Sequence, residues 1–199
     1  MSYLVFTGRP NAGKSSIISR ALGVNAPSGK RPGTTRRITP IPLSKGLSVV
    51  DMPGYGRVSR ASRALEDRLK DEILDFLEVQ AGSIALAVHV IDISNFSEVT
   101  RRLEEKGFRA LDVEMVELLS TNMGEFPLVV ANKIDRTNTV ELASALIELR
   151  GRLRESCPTM DEGRIIPVSA KTGEGMGYLK SAVHDALVSK GFTTPFRRV

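Results

Sequence analysis

Eight residues near the start of the chain have the types and spacing to hold a phosphate chain. Gly8-Arg9-Pro10-Asn11-Ala12-Gly13-Lys14-Ser15 fits G-x-x-x-x-G-K-[ST] at every fixed position. The two glycines let the backbone wrap tightly, so that successive N–H groups point at phosphate oxygens. The helix expected from Gly13 onward adds its positive end to the same target. Lys14 supplies a point charge between the β- and γ-phosphates and is assigned a catalytic role as well as a binding one. Ser15 offers its hydroxyl to Mg²⁺, and Ser16 joins the binding set. A glycine-rich turn that holds Lys-Ser by chance is the plain alternative. The pattern predicts a nucleoside triphosphate and leaves the base open.

Asn132-Lys133-Ile134-Asp135 addresses the base. A carboxylate at Asp135 can accept from guanine N1–H and N2–H₂, donors that adenine lacks. A bidentate contact of this kind discriminates by about 1–3 kcal/mol. Ser169-Ala170-Lys171 follows a later strand, where its backbone can reach guanine O6 and Lys171 can cover the base plane. Asp51-Met52-Pro53-Gly54 supplies a carboxylate for a magnesium-bound water and an N–H, at Gly54, for the γ-phosphate. Pro32-Gly33-Thr34-Thr35 supplies hydroxyls that could complete the magnesium shell. An Asx-rich turn, or a short run of small residues, is the plain reading of each segment alone. Their shared order along one chain makes that reading improbable.

The elements that must position these residues are legible as well. Residues 3–7 read as a strand, 8–15 as a loop and 14–22 as a helix. Residues 24–37 read as a mobile loop. Residues 38–43 and 47–50 read as an antiparallel hairpin. Leu65, Leu69, Ile73, Phe76 and Leu77 are spaced for one helix face. Residues 84–91 and 127–131 are apolar runs of the kind buried on both sheet faces. Residues 94–108 are highly charged, and no element is assigned to them. Helices over 111–119, 140–153 and 176–188 and a strand over 164–168 complete the pattern. Alternation of this kind predicts an α/β P-loop NTPase fold, a three-layer sandwich. Its sheet should have six strands, mostly parallel, with one antiparallel edge strand.

The chain has 199 residues, 41% hydrophobic and 26% charged, which suits one globular domain over 1–199. No apolar run approaches membrane-span length. No basic leader precedes the first apolar run, so no signal peptide is expected. The lone Cys157 excludes an intrachain disulfide and suggests a reducing compartment, so a cytoplasmic protein is expected; a monomer is expected as well. Net charge is +5, and residues 24–65 hold eight basic residues against one acid. That stretch spans Gly33, Thr34, Thr35 and the D-x-P-G turn. It reads either as a solvated charged face or as an RNA-binding edge that includes Arg57, Arg60 and Arg63.

The five segments resemble the five nucleotide-binding motifs of translation-factor-class GTPases, in the Era-like branch. Asp51-Met52-Pro53-Gly54-Tyr55-Gly56 resembles the EngB (YihA) family, which carries D-x-P-G-Y-G there. The segment from Ile91 to Met115 looks more like archaeal members than bacterial ones. Bacterial EngB usually reads G-R-S-N-V-G-K-S, P-G-R-T and T-K-x-D, so this chain departs from it at Pro10, Ala12, Thr34 and Asn132. The resemblance implies GTP and GDP as ligands, Mg²⁺ as cofactor, and Thr35 as the magnesium ligand of its loop. It also implies a role in assembly of the large ribosomal subunit, with a ribosomal subunit or rRNA as partner. A non-ribosomal role, such as cell division or tRNA-related regulation, is the alternative. Thr35 and Gly54 count with Lys14 as catalytic. Tyr55 stands where Ras-like proteins carry the glutamine that orients water, so hydrolysis should be slow. Asn11 either helps bind K⁺, as in several related GTPases, or merely stabilises its loop.

Overall fold

Six strands form one sheet: β1 (Ser2–Gly8), β2 (Pro40–Ser44), β3 (Leu47–Asp51), β4 (Ile84–Asp92), β5 (Leu128–Asn132) and β6 (Ile165–Val168). Their spatial order is β2-β3-β1-β4-β5-β6. Only β2 runs antiparallel, paired with β3, and the other pairs are parallel. Among the described residues six α-helices pack around them: α1 (Lys14–Leu22), α2 (Arg63–Val79), α3 (Phe96–Glu104), α4 (Leu111–Met123), α5 (Thr139–Ser156) and α6 (Met176–Ser189). The computed structural model describes residues 1–24, 38, 40–55, 63–158 and 160–196; side chains 63–67 and 69 are outside that description. Gly33, Thr34, Thr35, Arg57 and Arg60 therefore lie outside the described residues, as do the side chains of Arg63, Leu65 and Leu69 and the expected loop from residue 25 onward.

The layers follow from the strand sequences. Leu4 and Phe6 of β1 enter one core, with Ile17 and Ile18 of α1 and Leu179 and Val183 of α6. Val5, between them, faces the other way and packs with Ile73 and Leu77 of α2 and Leu119 of α4. Val129 and Ala131 of β5 meet Leu149 and Leu153 of α5 in the same manner. Adjacent residues are thus buried on opposite faces, as the continuous apolar runs require. The expected α/β sandwich is the observed one. Pro40 and Pro42 sit in β2, at the sheet edge, where a missing N–H costs no ladder bond on the solvent side.

One element was not expected. Helix α3 forms inside the charged run 94–108. Only Phe96 and Thr100 are buried, one turn apart, and that is too sparse a stripe to show as a period. Ion pairs Glu98–Arg102 and Arg101–Glu105, both at i,i+4, support the exposed face. Among the described residues, no helix is long and apolar enough to cross a membrane.

Candidate functional site

Parallel strands present their following loops at one edge of the sheet, and the chemistry-bearing residues gather there. The loop from Gly8 to Gly13 joins β1 to α1. Gly13 has φ of +102°, and a Cβ there would lie 2.3 Å from the side-chain nitrogen of Asn132. Glycine is therefore required twice, for the backbone and for the neighbour. Asn11 also lies in the left-handed region, with φ of 63°. Lys14 is buried, and its Nζ donates to the carbonyls of Gly8 at 2.9 Å and Arg9 at 3.1 Å. Burial lowers its pKa to about 8, against the opposing pull of Asp51 and Asp112.

Ser15 Oγ donates to Asp51 Oδ2 at 2.5 Å, so the end of β3 meets the first turn of α1. The second oxygen of Asp51 is buried and accepts no bond from any described group. Burial raises the Asp51 pKa, opposed by the Ser15 hydrogen bond and the Lys14 charge. Gly54 lies against Pro10, and a Cβ on it would come 2.6 Å from the Pro10 nitrogen. The turn from Asp51 to Gly54 is thus held against the phosphate loop at both ends.

Asn132, at the end of β5, ties three loops together. Its Nδ2 donates to the Ala12 carbonyl at 2.8 Å, and its Oδ1 accepts from the Ala170 N–H at 3.0 Å. Ser169 Oγ donates to Asp135 Oδ1 at 2.6 Å, which holds that carboxylate below its usual range. Lys171 Nζ lies 3.8 Å from the other oxygen, Asp135 Oδ2. An open cavity of about 170 Å³ is lined by Gly13, Ser16, Asn132, Lys133, Asp135 and Lys171, among others. A larger cavity, about 330 Å³, opens at the opposite end of the sheet, between β4, β5 and the end of α6. There Glu125 pairs with Arg164 and Lys190, and no predicted site residue lines it.

Three contributors escaped the sequence reading. Arg20 of α1 donates to the carbonyls of Ala170, Lys171 and Thr172, at 2.7, 2.9 and 3.3 Å. Asp92, at the end of β4, pairs with Lys133 Nζ at 2.5 Å and accepts from Ser94 Oγ at 2.6 Å. Asp92 stands beside Asn132 in the β4/β5 register, a neighbour relation that needs the topology. The third is a buried cluster of Thr7, Tyr55, His89 and Asp112 beneath the phosphate loop. His89 is the one polar residue within the apolar run 84–91, and that was its available signal.

A family described as "50S ribosome-binding GTPase" matches residues 3–133. A "Probable GTP-binding protein EngB" from Methanopyrus kandleri is 36% identical, over 96% of this chain and 95% of its own. One from Pyrococcus horikoshii is 35% identical, over 94% and 84% respectively. The chain belongs to the EngB family of GTPases. A crystal structure of a probable GTP-binding protein engB superposes with a TM-score of 0.80 at 28% identity, covering 94% of this chain and 99% of that one. As an EngB-family protein the chain binds GTP and hydrolyses it. Both of these relatives are archaeal, in keeping with the expectation from residues 91–115.

Proposed function

We propose that this EngB-family chain is a Mg²⁺-dependent, slowly hydrolysing GTP switch that works on the large ribosomal subunit. One observation carries the guanine half of that reading. Asn132 bonds Ala12 and Ala170 at once, while Ser169 aims Asp135. In this reading residues 8–16 hold the phosphates, with Asn132, Lys133, Asp135, Ser169, Ala170 and Lys171 around the base. Gly33, Thr34 and Thr35 would close the γ-phosphate side, and Gly54 would donate its N–H there.

The described residues fit magnesium. The groups gathered beside the loop are the Ser15 hydroxyl and the Asp51 carboxylate, both hard oxygen donors. That is magnesium's preference. Ser15 would ligate directly and Asp51 through water, for which its unpaired buried oxygen is suited, and Thr35 would complete the shell. When bound, the ion would neutralise charge on the β- and γ-phosphates.

The family description supports the ribosomal partner. The basic stretch 24–65 supports contact with an RNA backbone. A single cytoplasmic G domain, 1–199, acting as a monomer, completes the reading. The test is co-sedimentation with large ribosomal subunits, comparing a GTP analogue with GDP. Retention only with the analogue is expected, and equal retention with both sinks the switch. Hydrolysis compared in KCl and NaCl, with Asn11→Ala as control, tests the potassium role of Asn11. Equal rates in the two salts leave Asn11 with its loop alone.

A further inference from the structure

The phenol of Tyr55, the residue after Gly54, points into the protein. It is 6% exposed. Its oxygen lies 3.2 Å from His89 Nε2 and donates to Asp112 Oδ1 at 3.2 Å. His89 Nε2 is 3.3 Å from the same carboxylate oxygen, and its Nδ1 is 2.9 Å from Thr7 Oγ1. The four groups satisfy one another when Thr7 donates to Nδ1 and Nε2–H faces Tyr55 and Asp112. Burial and the neighbouring Asp112 charge push the phenol well above its usual range, so it remains a neutral donor.

The cluster joins four parts of the protein. Thr7 directly precedes Gly8, the first residue of the phosphate loop, and pairs with His89 across β1 and β4. Met52 N–H donates to Phe6, so the Asp51–Gly54 turn leaves the sheet alongside the same strand. Asp112 lies in the first turn of α4. A first-turn carboxylate stabilises its own helix, and that is the structural role Asp112 would have alone. Here it also receives the only described side-chain hydrogen bond that the tyrosine donates.

We propose that Tyr55 is a positioning residue for the γ-phosphate: latched by His89 and Asp112, it holds Gly54 against Pro10 so that GTP gains a contact that GDP lacks. The glutamine of Ras-like proteins faces the attacking water from this position. The tyrosine is used in the opposite direction, as an anchor beneath the loop. Releasing it leaves a buried carboxylate short of a donor and frees Gly54, the group in this turn that meets only the third phosphate. The β-phosphate and the guanine are held elsewhere, so GDP should scarcely notice.

The inference rests on the GTP-switch reading above. It is tested by titrating the full chain with GDP and with a non-hydrolysable GTP analogue, for Tyr55→Phe, Asp112→Ala and the double variant. Tyr55→Phe should weaken the analogue about tenfold and GDP by less than about threefold. Asp112→Ala, which removes the acceptor, should do the same, and the double variant should lose no more than either single one. Equal weakening of both nucleotides, or none, overturns the latch, as does loss of all binding in both single variants. Failure of the unaltered chain to bind the analogue overturns the switch reading and the latch with it. An unchanged ratio of the two affinities in the variants, while the unaltered chain binds both nucleotides, overturns the latch alone.

Discussion

In the proposed reading, the guanine end and the γ-phosphate end of the site are built on different plans. At the guanine end every contributor sits on a strand terminus or is tied to one. Asn132 ends β5, Ser169 follows β6, and Arg20 on α1 grips three consecutive carbonyls after Ser169. At the γ end Asp51 ends β3. Gly54 belongs to the turn beyond β3, and Thr35, the proposed magnesium ligand of that end, lies outside the described residues. A preformed hydrogen-bonded cradle gives affinity and base specificity with little reorganisation. Ligands on loops let one phosphate change which segments are held. The two plans predict different signatures: perturbing the guanine end should weaken GDP and GTP alike, and perturbing the γ end should separate them.

The largest effect should follow Asp135→Asn. The amide would present a donor to a guanine donor, and Ser169 would lose its charged acceptor. GDP and GTP affinities should both fall by about a hundredfold or more, while xanthine nucleotides gain. Parallel titrations with GDP and XDP check this. If GTP falls and GDP does not, guanine recognition is placed at the wrong residue.

Arg20→Ala should come next. It removes three donor contacts to Ala170, Lys171 and Thr172 without touching nucleotide. Each exposed contact is modest, but together they fix one loop. Release of GDP and of the GTP analogue should accelerate by about tenfold, and equally, in stopped-flow displacement. A selective effect on one nucleotide would break the division between the two ends.

Sequence reading reached the two ends unequally, for a physical reason. The proposed guanine and phosphate motifs are short and contiguous, so Gly13, Lys14, Asn132 and Asp135 could be picked out locally, and the structure brings them to one edge of the sheet. Strands β4 and β5 announced themselves through continuous apolar runs. Arg20 was not legible, because 150 residues separate it from the Ala170 carbonyl it serves. Asp92 was hidden likewise: its meaning comes from lying beside Asn132 across two strands. Tyr55 was noticed as a missing glutamine, yet its inward direction depends on His89 and Asp112, which no local pattern links to it. Helix α3 escaped because ion pairs support it more than burial does.

The smallest expected effect concerns pH, and it divides stability from binding. Lys14 carries a pKa lowered by burial to about 8, against an ordinary 10.5. Between those values the unfolded chain keeps a proton that the folded, nucleotide-free chain has released. The unfolded state then binds more protons, so stability of the free fold should rise with pH across that window, by about 3 kcal/mol at most. Phosphates beside Lys14 restore its charge, so binding takes up a proton. Affinity should therefore move the other way, falling about fourfold between pH 7 and pH 8.5. Titrations across that range, beside chemical unfolding of the nucleotide-free chain, test both signs. Lys14→Met should bind weakly but with no such slope. GDP and the GTP analogue should share the slope, because Lys14 lies on the loop common to both phosphate chains. A slope confined to the analogue would move Lys14 from the shared cradle to the γ end, and the boundary between the two plans with it.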